Sequence, residues 1–143
     1  LGVGTGFAFA AKLANPQKEV LCYYGDGSFG MTAFDIETAD RFGMPFIAVI
    51  GNNSAMNQIR YGQLAKYGQQ KGNIANKLGD MKFSDFPKMW GAHGIEVREP
   101  NEISSALNKA RELISKTKKS VVINVWVDPN EYAPGTKAQT MYK

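Results

Sequence analysis

Two short apolar runs, each ending in glycine and a polar side chain, constrain this chain more than any other feature. Val20-Leu21-Cys22-Tyr23-Tyr24 leads into Gly25-Asp26-Gly27-Ser28, and Pro45-Phe46-Ile47-Ala48-Val49-Ile50 leads into Gly51 and then Asn52-Asn53. Twenty-four residues, 28–51, separate Gly27 from Asn52, and they include an amphipathic segment of helix length. The pattern predicts strand, turn, helix, strand, turn. In a parallel α/β sheet, ligands bind beyond the carboxyl ends of the strands. If the two strands are neighbours, Asp26 and Asn53 face each other across one crevice. A carboxylate, an amide oxygen and a nearby carbonyl form an oxygen-only site for a hard cation such as Mg2+, which completes its shell with phosphate oxygens. The stretch therefore predicts a metal and phosphate site at Asp26, Ser28 and Asn53.

The remaining chain alternates in the same way. Residues 1–14 read as a glycine turn running into a helix that Asn15-Pro16 stops. A first strand is expected over 19–24 and a turn over 25–30. Ser28 then stands near the start of the next helix, where it serves as an N-cap and as an anion position. That helix is expected over 31–42, with Met31, Phe34, Thr38 and Phe42 on its buried face and Asp35, Asp40 and Arg41 toward solvent. Gly43 and Pro45 end it. A second strand covers 46–50. Residues 56–66 read as a short helix, followed by a mobile loop to about residue 79, because so long a polar connection is usually a lid or disordered. Further helices are expected over 84–90, capped by Ser84, and over 101–115, capped by Asn101. A short strand at 95–97 and a last core strand at 120–127 complete the sheet. The fold class is α/β: a mainly parallel sheet flanked by helices on both faces, in a single domain over 1–143. The polar tail, 130–143, is read either as disordered or as folded over the cleft.

Several functions are excluded. The formal charge is +4, and the one basic cluster, Lys116, Lys118 and Lys119, ends a helix where cations suit the dipole. A nucleic-acid partner is therefore not expected. No apolar run reaches the length of a membrane span, and no signal peptide is evident. The single cysteine, Cys22, lies in a strand, which fits a reduced, cytoplasmic setting. The single histidine, His93, has no partner at metal-ligand spacing and reads as a turn residue. Gly2, Gly4 and Gly6 are spaced G-x-G-x-G with no strand leading in, a poor match to a dinucleotide fingerprint; close helix packing beside the site is the preferred reading. A non-catalytic nucleotide-binding module of Rossmann type using those glycines is the alternative, and a remnant that keeps the fold without chemistry is a third. The chain opens at Leu1 directly into the glycine run, so it is expected to be a piece of a longer polypeptide.

The pair Gly25-Asp26-Gly27-Ser28 and Asn52-Asn53 resembles the cofactor motif of thiamine diphosphate-dependent enzymes. The resemblance covers nearly the whole chain and is to the C-terminal, diphosphate-binding domain of the acetolactate synthase, benzaldehyde lyase, oxalyl-CoA decarboxylase and 2-hydroxyacyl-CoA lyase group. Residues 53–68, with Tyr61-Gly62-Gln63, and the tail from Pro134 to Lys143 look most like the lyase and decarboxylase branch. The resemblance implies thiamine diphosphate and Mg2+ as cofactors. Asp26, Asn53 and the carbonyl of Ala55 would hold the metal, and Gly25, Gly27, Ser28, Met56 and Asn57 would join them around the diphosphate. It also implies that the catalytic glutamate lies outside this chain, in an N-terminal pyrimidine-binding domain of a neighbouring subunit; Glu37 is no substitute. The expected enzyme is a homodimer or homotetramer acting on a small molecule by non-oxidative C–C cleavage or formation. The substrate would be a 2-oxo acid or 2-hydroxyacyl compound, and this chain alone would be inactive.

Overall fold

The computed structural model describes residues 1–131. Four parallel strands form one sheet in the order β1-β2-β4-β3: β1 (Leu21–Gly25), β2 (Ile47–Asn52), β3 (His93–Val97) and β4 (Val121–Trp126). The first two are neighbours, with Tyr24 opposite Ile50 and Gly25 opposite Gly51. β4 lies between β2 and β3 and is buried along most of its length, whereas β1 is an edge strand with alternating exposure. An all-parallel sheet needs both faces covered; α1 (Gly4–Ala14), α2 (Asp26–Thr32) and α3 (Asp35–Arg41) cover one face and α5 (Ile103–Thr117) the other, while α4 (Asn57–Gly72) follows the end of β2.

Each face has its own core. On one, Ala8 of α1, Phe29 of α2, and Ile36 and Ala39 of α3 pack on Tyr24, Ala48, Ile50 and Val122. On the other, Ala106 and Ala110 of α5 pack on Ile47, Val121, Ile123 and Val97. The small residues let the helices approach closely. At Gly4 an added Cβ would lie 2.6 Å from the Tyr24 ring, so this glycine serves the packing of α1 on β1. Among the described residues, no helix is long and apolar enough to cross a membrane.

The segment after β1 departs from the sequence expectation. There is no turn over 25–30: Gly25 is extended and ends the strand, and the helix begins at once at Asp26. The helix-forming stretch is therefore longer and divides into α2 and α3. Its buried stripe is Phe29, Ala33, Ile36 and Asp40, at i, i+4, i+7 and i+11, while Met31, Phe34 and Phe42 are more than half exposed. Asp40, expected in solvent, is 5% exposed. Its carboxylate accepts hydrogen bonds from Ser120 N–H (2.7 Å), Ser120 Oγ (2.5 Å) and Trp90 Nε1 (2.9 Å), which compensates for burying the charge.

The expected loop after residue 66 also differs. α4 continues to Gly72 through a kink at Gly68 (φ +72°). Residues 76–78 then pair with 54–56: Met56 N–H donates to the Asn76 carbonyl, and Leu78 N–H to the Ser54 carbonyl, each at 2.8 Å. Much of the stretch is therefore helix and a hydrogen-bonded return segment. Residues 86–90 form a single 3-10 turn closed by left-handed Gly91. Ser84 does not cap it but bonds Glu96 on β3. Ahead of α5, the Glu102 carboxylate, not Asn101, takes up the free N–H groups of Arg98 and Glu99. His93 opens β3, and its Nε2 meets Thr117 Oγ1 at 3.0 Å.

Candidate functional site

The ends of β1 and β2, in register at Gly25 and Gly51, each give way to a helix. The two helix starts enclose a cavity of about 240 Å3, lined by Gly25, Asp26, Gly27, Ser28, Asn53, Ala55, Met56 and Asn57 among others. All the residues singled out from the sequence thus gather around one cleft. The first-turn N–H groups of a helix have no partner within it and suit an anion. The two helix starts approach so closely that a Cβ at Gly27 would lie 2.9 Å from Met56 Cγ. Only glycine at this position leaves that contact free of strain.

Asp26 is 3% exposed. Its Oδ1 accepts from Gly27 N–H at 2.8 Å and its Oδ2 from Ala55 N–H at 3.1 Å. Burial raises its pKa above the ordinary aspartate value; backbone N–H groups of Gly27, Ala55, Asn53 and Ser54 offset this only in part. A buried carboxylate in such a position gains from a cation. Asn53 supplies a second donor: its Oδ1 is buried and has no hydrogen-bond partner. An orphaned acceptor of this kind is costly unless a ligand completes it. Among the described residues, no three His, Cys, Asp or Glu side chains gather as a metal cluster. One carboxylate with amide and carbonyl oxygens is a donor set for a small hard cation, not for zinc or copper.

Ser28 differs in detail from its expected role. Gly25 holds the N-cap position, and Ser28 is the third residue of α2. Its Oγ accepts from Gly2 N–H at 3.1 Å, which fastens the left-handed glycine turn before α1 to the cleft wall. Asn57 also has a second task. Its Nδ2 donates to the Pro129 carbonyl at 2.8 Å; Tyr61 Oη donates to the same carbonyl, so α4 holds the chain that leaves β4. The tail proper, 132–143, lies outside the described residues.

The sequence reading missed Asn52 as an individual residue. It is fully buried. Its Nδ2 donates to the Met81 carbonyl (2.8 Å) and to Asn124 Oδ1 (3.0 Å), while its Oδ1 accepts from Ser54 N–H (3.1 Å). The signal was present in β4: an asparagine inside the apolar run Val121 to Trp126 demands a buried partner.

Comparison with known proteins decides the family. The family model for the C-terminal thiamine pyrophosphate-binding domain of thiamine pyrophosphate enzymes matches residues 1–125. The chain belongs to this family. As a thiamine pyrophosphate-binding domain it is similar to 2-hydroxyacyl-CoA lyase 2 of Mus musculus, with 30% identity over 95% of the chain and 21% of that protein. It is 31% identical to the Homo sapiens 2-hydroxyacyl-CoA lyase 2, over 96% of the chain and 22% of the relative. It is also 33% identical to the large subunit of acetolactate synthase from Mycobacterium tuberculosis, over 94% of the chain and 23% of the relative. The domain thus spans about a fifth of the length of these curated relatives. The fold class is the expected one: a parallel sheet with helices on both faces.

Proposed function

We propose that this domain anchors the diphosphate of thiamine diphosphate through Mg2+, in an enzyme of non-oxidative C–C bond cleavage or formation. The observation that carries the reading is the unpartnered, buried Oδ1 of Asn53 beside the buried carboxylate of Asp26. Asp26, Asn53 and the Ala55 carbonyl supply the metal's protein oxygens. Gly25, Gly27 and Ser28 at the start of α2, and Met56 and Asn57 at the start of α4, surround the phosphates. When bound, the cofactor supplies the electron sink for a carbanion formed at the substrate carbonyl carbon. The domain's share would be to hold the cofactor's diphosphate end in one orientation.

The substrate is a 2-oxo acid or a 2-hydroxyacyl compound, in keeping with the names of the relatives. The glutamate that assists the cofactor comes from a pyrimidine-binding domain of another subunit, within a cytoplasmic homodimer or homotetramer. Exposed Val3, Phe7, Leu13, Met31, Phe34 and Phe42 on α1–α3 and their flanks support such an assembly, because clustered exposed apolar side chains mark interfaces. The test is calorimetric titration of the protein with thiamine diphosphate and Mg2+. Wild type binds and Asp26→Ala does not, although it remains folded; retained affinity in Asp26→Ala overturns the reading. A panel of pyruvate, oxalyl-CoA, a 2-hydroxyacyl-CoA and benzoin, given to the complete enzyme, identifies the substrate.

A further inference from the structure

We propose that Asn124, remote from the motif in sequence, is a positioning residue that fixes the geometry of the cation-binding turn through Asn52. This rests on the reading of Asp26 and Asn53 given above. The turn after β2 is unusual in its backbone. Ser54 has φ +55°, a left-handed conformation that non-glycine residues seldom adopt. Three contacts hold it there. Its N–H donates to Asn52 Oδ1 (3.1 Å), its carbonyl accepts from Leu78 N–H (2.8 Å), and its Oγ donates to Asp80 Oδ1 (2.7 Å). Asn53 and Ala55, the flanking residues, are carried by this turn.

The first of those contacts depends on which way the Asn52 amide points. With Oδ1 toward Ser54 N–H, the contact is a hydrogen bond. With the amide reversed, an NH2 group would face an N–H. Asn52 stands in its productive orientation because its Nδ2 has two acceptors, the Met81 carbonyl and Asn124 Oδ1. Asn124 is itself fully buried in β4, and its Nδ2 has no hydrogen-bond partner. A buried, unpartnered donor costs stability, and an apolar side chain of similar volume would avoid that cost. The amide at 124 is thus poorly accounted for by packing and well accounted for by the acceptor it offers Asn52.

The test is Mn2+ binding in the presence of thiamine diphosphate, followed by electron paramagnetic resonance, with urea unfolding of the same samples. Loss of ligand-orienting contacts behind a metal site lowers affinity about 10- to 100-fold. Asn124→Leu is expected to weaken Mn2+ binding by about tenfold, with an unfolding midpoint equal to or above wild type. Asn124→Asp keeps an acceptor for Asn52 Nδ2 and is expected to stay within about threefold of wild type, well short of a full ligand-orienting loss. If Asn124→Leu does not fold, Asn124→Ser, which is too short to reach Asn52, takes its place with the same expectation. Wild-type affinity in the Leu or Ser variant overturns the proposal, as does an equal loss in Asn124→Asp. If those variants bind normally while Asp26→Ala does not, the inference falls and the cofactor reading stands. If wild type binds no Mn2+ with the cofactor, both fall.

Discussion

At the scale of single residues, the site turns on one buried carboxylate and one unsatisfied amide oxygen. The raised pKa of Asp26 has a definite sign for stability. The folded domain holds this proton more tightly than the unfolded chain, so the contribution is fully present below the unfolded pKa and is lost as pH rises through the folded value. Without cation, the domain should lose stability as pH rises through that window, and Asp26→Asn should remove this pH dependence while giving up one of the two N–H contacts that the carboxylate accepts. Urea unfolding across pH checks both. Cation binding follows the opposite course, because proton and cation compete for the same carboxylate: affinity should fall as pH is lowered through the raised pKa. For Asn53→Ala the account expects loss of cation affinity with little loss of stability, since Oδ1 has no partner to forfeit. A stability loss without an affinity change would identify Asn53 as structural.

At the scale of elements, the sheet and its helices are fastened by a few buried contacts that patterning does not reveal. Asp40 ties α3 to Ser120, at the start of β4, and to Trp90. Asp40→Ala leaves these donors without an acceptor and should cost about 3 kcal/mol; Asp40→Asn, which keeps one acceptor oxygen, should cost less. At Gly94 on β3, an added Cβ would lie 1.7 Å from the carbonyl oxygen of Ser84. Backbone cannot give way as a flexible side chain can, so Gly94→Ala should destabilise the domain by at least about 1–3 kcal/mol, the usual range for overpacking. Denaturant midpoints measure both.

These same positions show what the sequence made legible. The strands β1 and β2, with Asp26, Ser28 and Asn53 at their ends, followed from apolar runs ending in glycine and polar residues; their adjacency comes from the sheet itself, and Ala55, Met56 and Asn57 entered only with the family resemblance. The boundary at Asp26 did not follow, because two glycines read as a turn although the first only ends a strand. The burial of Asp40 did not, because a charged residue is assigned to solvent until its donors are known, and these lie 50 and 80 residues away. The stretch 67–79 read as a mobile loop because nothing local reveals that α4 runs on to Gly72 or that residues 76–78 pair with 54–56.

At the scale of the molecule, a parallel sheet brings two carboxyl strand ends together, and the candidate site lies there. The third strand in space, β4, supports the site from beneath through Asn124, and its departing chain is caught by Asn57 and Tyr61 at the Pro129 carbonyl. Ligand binding should therefore tighten the whole domain rather than one loop. A ligand at 100 times its dissociation constant adds about 2.7 kcal/mol to the stability of a protein that binds it only when folded. Thermal unfolding should accordingly move upward when thiamine diphosphate and Mg2+ are present together, and less with either alone.

The central claim, that Asp26 and Asn53 form one cation site for a bound diphosphate, is tested most directly by Mn2+ titration with thiamine diphosphate, read by electron paramagnetic resonance. The account predicts one cofactor-dependent Mn2+ per wild-type chain and none in Asp26→Ala or in Asn53→Ala at the same concentrations. Wild-type binding in either variant would contradict it.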